Sequence, residues 1–163
     1  MNLKQIKDYP NYSFDLNTNE VYSHYKKRYL KLNLKINRYY RVTLSKNSKL
    51  KEFLLHRLVY EAHFGTIPEK MCIDHIDNDR QNNNIENLRL ATYSENNMNS
   101  KTYKNNLSTG YKNIRLTKNN TYQVSINKNK KTVYNKTFKT LEQAIINRDI
   151  QLKLIHGEFC NLG

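Results

Sequence analysis

Several things are scarce in this chain of 163 residues, and each absence excludes something. It has two cysteines, Cys72 and Cys160, with no Cys-x-x-Cys pair between them. That excludes a disulfide framework and a cysteine-rich zinc site, and points to a reducing, intracellular setting. No apolar run approaches the length that crosses a bilayer, and the first residues, MNLKQIKDYP, lack the hydrophobic segment of a secretory signal. No membrane partner is therefore expected. Apolar residues make up only 37% and the mean hydropathy is -0.90, so any core is thin, and the 13 tyrosines must supply much of it.

Positive charge is what the chain has in excess, +14 in all, and its distribution is uneven. Residues 1–50 hold 11 basic and 3 acidic groups, residues 51–97 hold 5 and 8, and residues 98–163 hold 12 and 3. Two basic segments thus flank an acidic middle. Lysines serving only solubility would not segregate in this way. Basic segments suit a polyphosphate backbone, and an acidic middle suits a divalent cation.

The hydrophobic period changes along the chain. In Leu30–Ile36 apolar and polar residues alternate, which predicts a strand with one wet face. Tyr40, Val42 and Leu44 predict a second strand after a turn at Asn37-Arg38. Lys31, Lys35, Arg38 and Arg41 lie on the wet faces, within reach of phosphates. Residues 52–64, EFLLHRLVYEAHF, predict an amphipathic helix ended by Gly65 and Pro68, with His56 and His63 packed near its apolar face. Residues 99–108 show neither period and read as a linker. Beyond it, Ile114–Leu116, Tyr122–Asn127 and Thr132–Phe138 predict three antiparallel strands. A helix opened by Thr140 and Gln143 and closed at Gly157 comes next. The fold class is α+β: an N-terminal β segment over 1–50, a central core over 51–98, the linker, and a C-terminal three-stranded antiparallel sheet packed on one helix over 109–163. The polar face of that sheet offers Arg115, Gln123, Ser125 and Asn127, side chains able to hydrogen-bond base edges.

The chemistry concentrates in Cys72–Asn97, CIDHIDNDRQNNNIENLRLATYSENN. A short strand delivers Asp74 and His75 side by side, an Asn-rich loop comes after it, and Leu88–Ala91 forms a second short strand. Thr92-x-x-Glu95 is a capping box that sets Asn96 in the first turn of a helix. Imidazole titrates near neutrality, so His75 suits the role of a general base that takes a proton from water. Asp74 gives a hard anionic oxygen and Asn96 a neutral one. Together they suit one Mg²⁺-like ion with positions left for substrate and water.

These residues carry a resemblance. Asp74-His75-Ile76-Asp77, Asn82-Asn83, Asn87-Leu88 and Asn96 are similar to the HNH nuclease motif in its phage and intron homing-endonuclease form. His56-Arg57-Leu58-Val59 and the pattern around Ile6–Tyr9 and Glu20–Ser23 resemble that group as well, so the likeness spans about residues 3–97. It implies a ββα-metal fold and DNA cleavage in the cytoplasm of a phage's host, and a single catalytic centre on a chain this small favours a monomer that nicks over a double-strand cut. His75 would be the general base, Asp74 and Asn96 the metal ligands, and Asn87 the brace of the loop that orients the imidazole through its backbone carbonyl. Asn78-Asp79 stands where the family has Gly-Asn, and asparagine tolerates the left-handed turn. Asn96 in place of His removes a nitrogen ligand and implies Mg²⁺ or Mn²⁺ rather than Zn²⁺. Residues 109–160 resemble a second family, the ethylene-response-factor (Apetala-two) type of DNA-binding domain, through Thr109-Gly110-Tyr111, Tyr122-Gln123-Val124, Lys136-Thr137-Phe138 and Gly157-Glu158-Phe159. That resemblance implies a sheet laid in the major groove, with Arg115, Gln123, Ser125 and Lys136 as contact residues. The competing expectation is a DNA-binding regulator with an inactive nuclease centre, and RNA binding or cleavage is a third.

Overall fold

A computed structural model describes residues 1–101 and 108–162 of the chain. The fold is α+β with antiparallel sheets, in two compact units, Met1–Ala91 and Thr92–Gly163. Residues 102–107 of the expected linker lie outside the described residues. Among the described residues, no helix is long and apolar enough to cross a membrane.

The first unit opens with an antiparallel meander of four strands, β1 (Leu3–Ile6), β2 (Tyr9–Asp15), β3 (Glu20–Ser23) and β4 (Arg28–Tyr29). A second sheet holds β5 (Asn33–Leu34), β6 (Tyr40–Lys46) and β7 (Lys49–Leu54), and α1 (Leu55–Phe64) continues from it without a break. The β6–β7 hairpin closes through Asn47 and Ser48, both at positive φ, the backbone a two-residue turn needs between right-twisted strands. Then come β8 (Met71–His75) and β9 (Leu88–Thr92), a two-stranded sheet whose connecting loop ends in a 3-10 turn at Ile85–Asn87. Phe14, Val21, Val42, Leu44, Leu58, Val59, Ile73 and Leu88 form one core drawn from both larger sheets, α1 and the small sheet. Each such side chain, fully buried, contributes about 1.5–3 kcal/mol of hydrophobic stabilisation. Among the described tyrosines Tyr12 alone is buried there, with Tyr9, Tyr40 and Tyr60 packed at the margin.

Three expectations are corrected here. The division after residue 50 falls inside β7, which pairs with β6 along its whole length, so residues 1–50 share one core with α1 and the small sheet. The helix starts at Leu55 rather than residue 52 because Glu52 and Phe53 still pair with Thr43 and Val42. The alternating stretch Leu30–Ile36 is paired only at Asn33 and Leu34. Leu30 and Leu32 reach the core, but Leu34 is half exposed and Ile36 fully so. The chain turns early, with Lys35 N–H on Tyr39 O and Arg38 N–H on Lys35 O, and that turn lifts Ile36 away from the sheet.

The second unit begins with α2 (Tyr93–Asn99), capped as the sequence predicts. Thr92 Oγ1 accepts the Glu95 N–H and the Glu95 carboxylate accepts the Thr92 N–H at 2.8 Å. Next is a three-stranded antiparallel sheet, β10 (Ile114–Leu116), β11 (Tyr122–Lys128) and β12 (Lys131–Phe138), and then α3 (Leu141–His156). Ile114, Val124, Ile126, Ala144 and Leu152 are its core, between one sheet face and α3.

Candidate functional site

The end of β8 carries Asp74 and His75, exposed by only 3% and 5%. On the neighbouring strand β9, Arg89 extends its guanidinium to Asp74, Nε to Oδ2 at 2.8 Å. The His75 ring has its Nε2 at 3.3 Å from Asn83 Oδ1. The amide of Asn83 is turned that way because its Nδ2 donates to Gln81 O at 3.0 Å. An amide oxygen only accepts, so this contact sets a proton on Nε2 and leaves Nδ1 as the basic nitrogen of the neutral ring.

Behind the imidazole stands a second one. His56, on the first turn of α1, meets His75 edge to face with centroids 5.1 Å apart at 81°. Tyr39 covers both rings at 5.0 and 6.0 Å. Arg80 in turn lies over the Tyr39 ring at 5.0 Å and donates to Asn37 O, tying the β5–β6 turn to the loop after His75. Burial is the main cause that pulls the His75 pKa below its ordinary value, partly offset by Asn83 and by the carboxylates of Asp77, Asp74 and Asp79. Burial drives His56 down further, to about 3, with the charges of His75 and Arg57 adding to it. Its Nδ1 is buried without a hydrogen-bond partner among the described residues, as suits a neutral ring.

The loop between β8 and β9 is held from within. Asn78 takes φ 62, the left-handed turn expected of it, and its N–H returns to His75 O. Asn87 then closes the loop. Its Oδ1 accepts the Asp77 N–H, its Nδ2 donates to Asp77 Oδ1 and Asn82 O, and its backbone carbonyl accepts the Ile76 N–H. Burial works against ionisation of Asp77, but hydrogen bonds from the Asn82 side chain, the Asp79 N–H and the Asn87 side chain outweigh it and hold this carboxyl below its usual range. The loop is thus a set of closed rings around Asp77 that fixes where the chain leaves His75.

The predicted residues are placed unevenly. Asp74, His75 and Asn87 come together in the first unit, and Asn96 lies half-buried on α2 of the second. Arg41 pairs with Glu52 at 3.3 Å, and Arg38 sits exposed at the left-handed end of its turn. On the C-terminal sheet Arg115 stands opposite Gln123, and its Nε–H bonds to the Gln123 side-chain oxygen. Gln123 passes a 2.8 Å bond to Asn135 on β12, and Ser125 is opposite Asn135. Lys136 differs. It pairs with the buried Val124, so it leaves β12 on the face that carries the core, at 5.7 Å over the Phe138 ring. Pairing across strands, which an alternating pattern alone does not set, places Asn135 beside Arg115 and Gln123 in place of Lys136.

Arg89 and Tyr39 carry no signal of their own in the sequence, and the motif likeness that takes in Asn83 and His56 gives neither of them a contact with His75. Each lies in a stretch whose local pattern speaks for a strand, an Asn-rich loop or a packed helix, and only pairing brings it to Asp74 or His75. For a divalent cation the donor chemistry fits. The Asp74 carboxylate is a hard oxygen donor in surroundings that already hold a cation against it, the Arg89 guanidinium. Among the described residues no cluster of three or more His, Cys, Asp or Glu side chains is suited to a metal ion, so a seat on Asp74 would draw on amide and substrate oxygens.

Similar proteins are known. Residues 53–98 match the family described as HNH endonuclease. The chain is 37% identical over 106 residues to an uncharacterized HNH endonuclease, L560, of Acanthamoeba polyphaga mimivirus, across 64% of this chain and 54% of that protein. It is also 37% identical over 92 residues to the DNA endonuclease I-HmuI of Bacillus phage SP01, across 56% of this chain and 53% of that one. It thus spans about half the length of these curated relatives. A solved structure of the HNH homing endonuclease I-HmuI, described for DNA binding and cleavage, superimposes with a TM-score of 0.57 at 26% identity, covering 96% of this chain and 91% of that one.

Proposed function

We propose that this homologue of the HNH homing endonucleases is a metal-dependent enzyme that hydrolyses phosphodiester bonds in double-stranded DNA, nicking one strand per site. One observation carries the reading: a buried imidazole at His75, held through Nε2 against the Asn83 amide oxygen, directly follows a buried carboxylate at Asp74 that faces a cation. His75 takes the proton of the attacking water on Nδ1 and becomes an imidazolium stabilised by the carboxylates of Asp77, Asp74 and Asp79. Tyr39 and His56 wall the ring and keep it from turning. Asn87 acts at one remove, by fixing the loop that leaves His75. Asp74 and Asn96 would hold one Mg²⁺ or Mn²⁺ ion. Bound there, the ion would offset the charge on the phosphoryl oxygens and the leaving 3′ oxygen.

The basic N-terminal β segment, with Arg38 and Arg41, supplies phosphate contacts. The C-terminal module, similar to the ethylene-response-factor type, lays Arg115, Gln123, Ser125 and Asn135 on the duplex. We place the enzyme in the cytoplasm of a phage's host, acting as a monomer. The test is incubation of the purified chain with supercoiled plasmid and phage DNA, with Mg²⁺ or with EDTA. Nicked circles with 5′-phosphate and 3′-hydroxyl ends are expected with Mg²⁺ only. His75→Ala is expected to slow cleavage by about 10²–10⁴-fold, the usual weight of a general base. Equal cutting by His75→Ala would remove the mechanism, and metal-independent DNA binding with no nicking would leave a regulator in place of an enzyme.

A further inference from the structure

Asp74 meets a positive charge before any metal arrives. Arg89 Nε lies 2.8 Å from its Oδ2 across the β8–β9 sheet, and the side chains are only 4% and 14% exposed. The guanidinium thus sets one fixed positive charge against the single negative charge a carboxylate offers. A divalent cation entering this set gives up tightly held water for one carboxylate that a fixed cation already shares. Repulsion between guanidinium and metal at such short range, in a largely buried place, is poorly screened by salt. One scissile phosphodiester brings the negative charge the set is missing.

We propose that Arg89 is a built-in counter-cation that keeps the metal seat weak in the free protein, so that the divalent cation and the DNA load together. The proposal rests on the reading of Asp74 as a cation ligand, and Arg89 acts through Asp74 as a positioning residue. Linkage then requires that the factor by which DNA tightens the cation equals the factor by which the cation tightens DNA. Removing the guanidinium should strengthen cation binding by the free protein and reduce the coupling by a similar factor. The free protein, spared a standing metal, would not cut until phosphate is present.

The experiment uses the full chain with His75→Ala to prevent turnover, and Mn²⁺ as the probe. Two quantities are read at fixed salt: Mn²⁺ affinity of the free chain by electron paramagnetic resonance, and duplex affinity by fluorescence anisotropy in Mn²⁺ or EDTA. Arg89→Gln should bind Mn²⁺ about tenfold more tightly or better without DNA, and the gain in duplex affinity given by Mn²⁺ should shrink by a similar factor. Unchanged or weaker Mn²⁺ binding by Arg89→Gln overturns the proposal. Arg89→Lys keeps the charge and should stay within about twofold of the Arg89 chain in both quantities. If Arg89→Gln does not fold, Arg89→Lys carries the test alone, and a rise of about tenfold in its free-chain affinity overturns the proposal. Asp74→Asn separates the two ideas. Loss of Mn²⁺ binding in that variant upholds Asp74 as the ligand whatever Arg89 does, and retention of it removes both.

Discussion

Burial displaces the titration of His56 strongly, and the consequence is a stability that depends on acid. Its pKa falls from 6.5 to about 3 in the folded chain, because burial and the neighbouring His75 and Arg57 all disfavour the imidazolium. Between these values the unfolded chain binds a proton that the native chain refuses, so stability rises with pH over that window and is fully present above 6.5. The expected loss is about 1.4 kcal/mol for each pH unit below 6.5 from this one group. His75, shifted in the same direction, adds to it. Urea denaturation at pH 7.5, 6 and 5 checks this. His56→Phe, which keeps a ring against His75 and Tyr39, should flatten the slope over that range, and an unchanged slope would mean that His56 is not buried neutral. The same residue shows how far the sequence carries. Its place on the apolar face of a helix is legible from spacing, and burial was the expectation; that it backs a second imidazole 19 positions along the chain depends on how α1 meets β8.

Among the elements, α2 is the most locally specified. Seven residues are too few to be stable as an isolated helix, so its first turn depends on the reciprocal bonds between Thr92 and Glu95. Thr92→Ala should cost about 1 kcal/mol and speed amide exchange in the first turn of α2, where Asn96 resides, while Thr92→Ser should hold both. Exchange measured by NMR or mass spectrometry decides it, and equal protection in Thr92→Ala would mean that packing of Met98 and Asn99 alone sustains the helix. The cap was legible because its two partners are three residues apart. The start of α1 was not. No side-chain cap marks it, since Leu54 is both the last residue of β7 and the N-cap, and only pairing with β6 tells Glu52 and Phe53 that they are strand. The same logic covers Leu30–Ile36, whose alternation is that of a strand but whose partner strand reaches only two of its residues.

Over the whole molecule, the excess of 14 positive charges belongs to the two basic segments, and binding to any duplex should weaken steeply with salt. Affinity is expected to fall by about 10³–10⁵-fold between 50 and 200 mM salt if 6–10 phosphates are contacted. Arg115→Ala should lower the slope of log affinity against log salt by about 1 where Arg115 meets a phosphate, and Lys136→Ala, on the opposite face of the same sheet, should leave it unchanged. Anisotropy titrations at several salt concentrations measure both, and an equal effect of the two variants would reject the polar face of the sheet as the contact surface. What the sequence determined by itself is what its near neighbours encode: Asp74 beside His75 on one strand, the capped helix bearing Asn96, the Asn78 turn, the alternation of the C-terminal strands and the segregation of charge. These need only periodicity, capping and composition, which act over a few residues. The tertiary structure alone decided that Arg89 faces Asp74 from 15 residues away, that Asn83 holds the proton on His75, and that Lys136 turns toward the core side of its sheet. The reason is physical: a strand's period says that side chains alternate, but which partner each one meets is set by register and packing between segments distant in the chain.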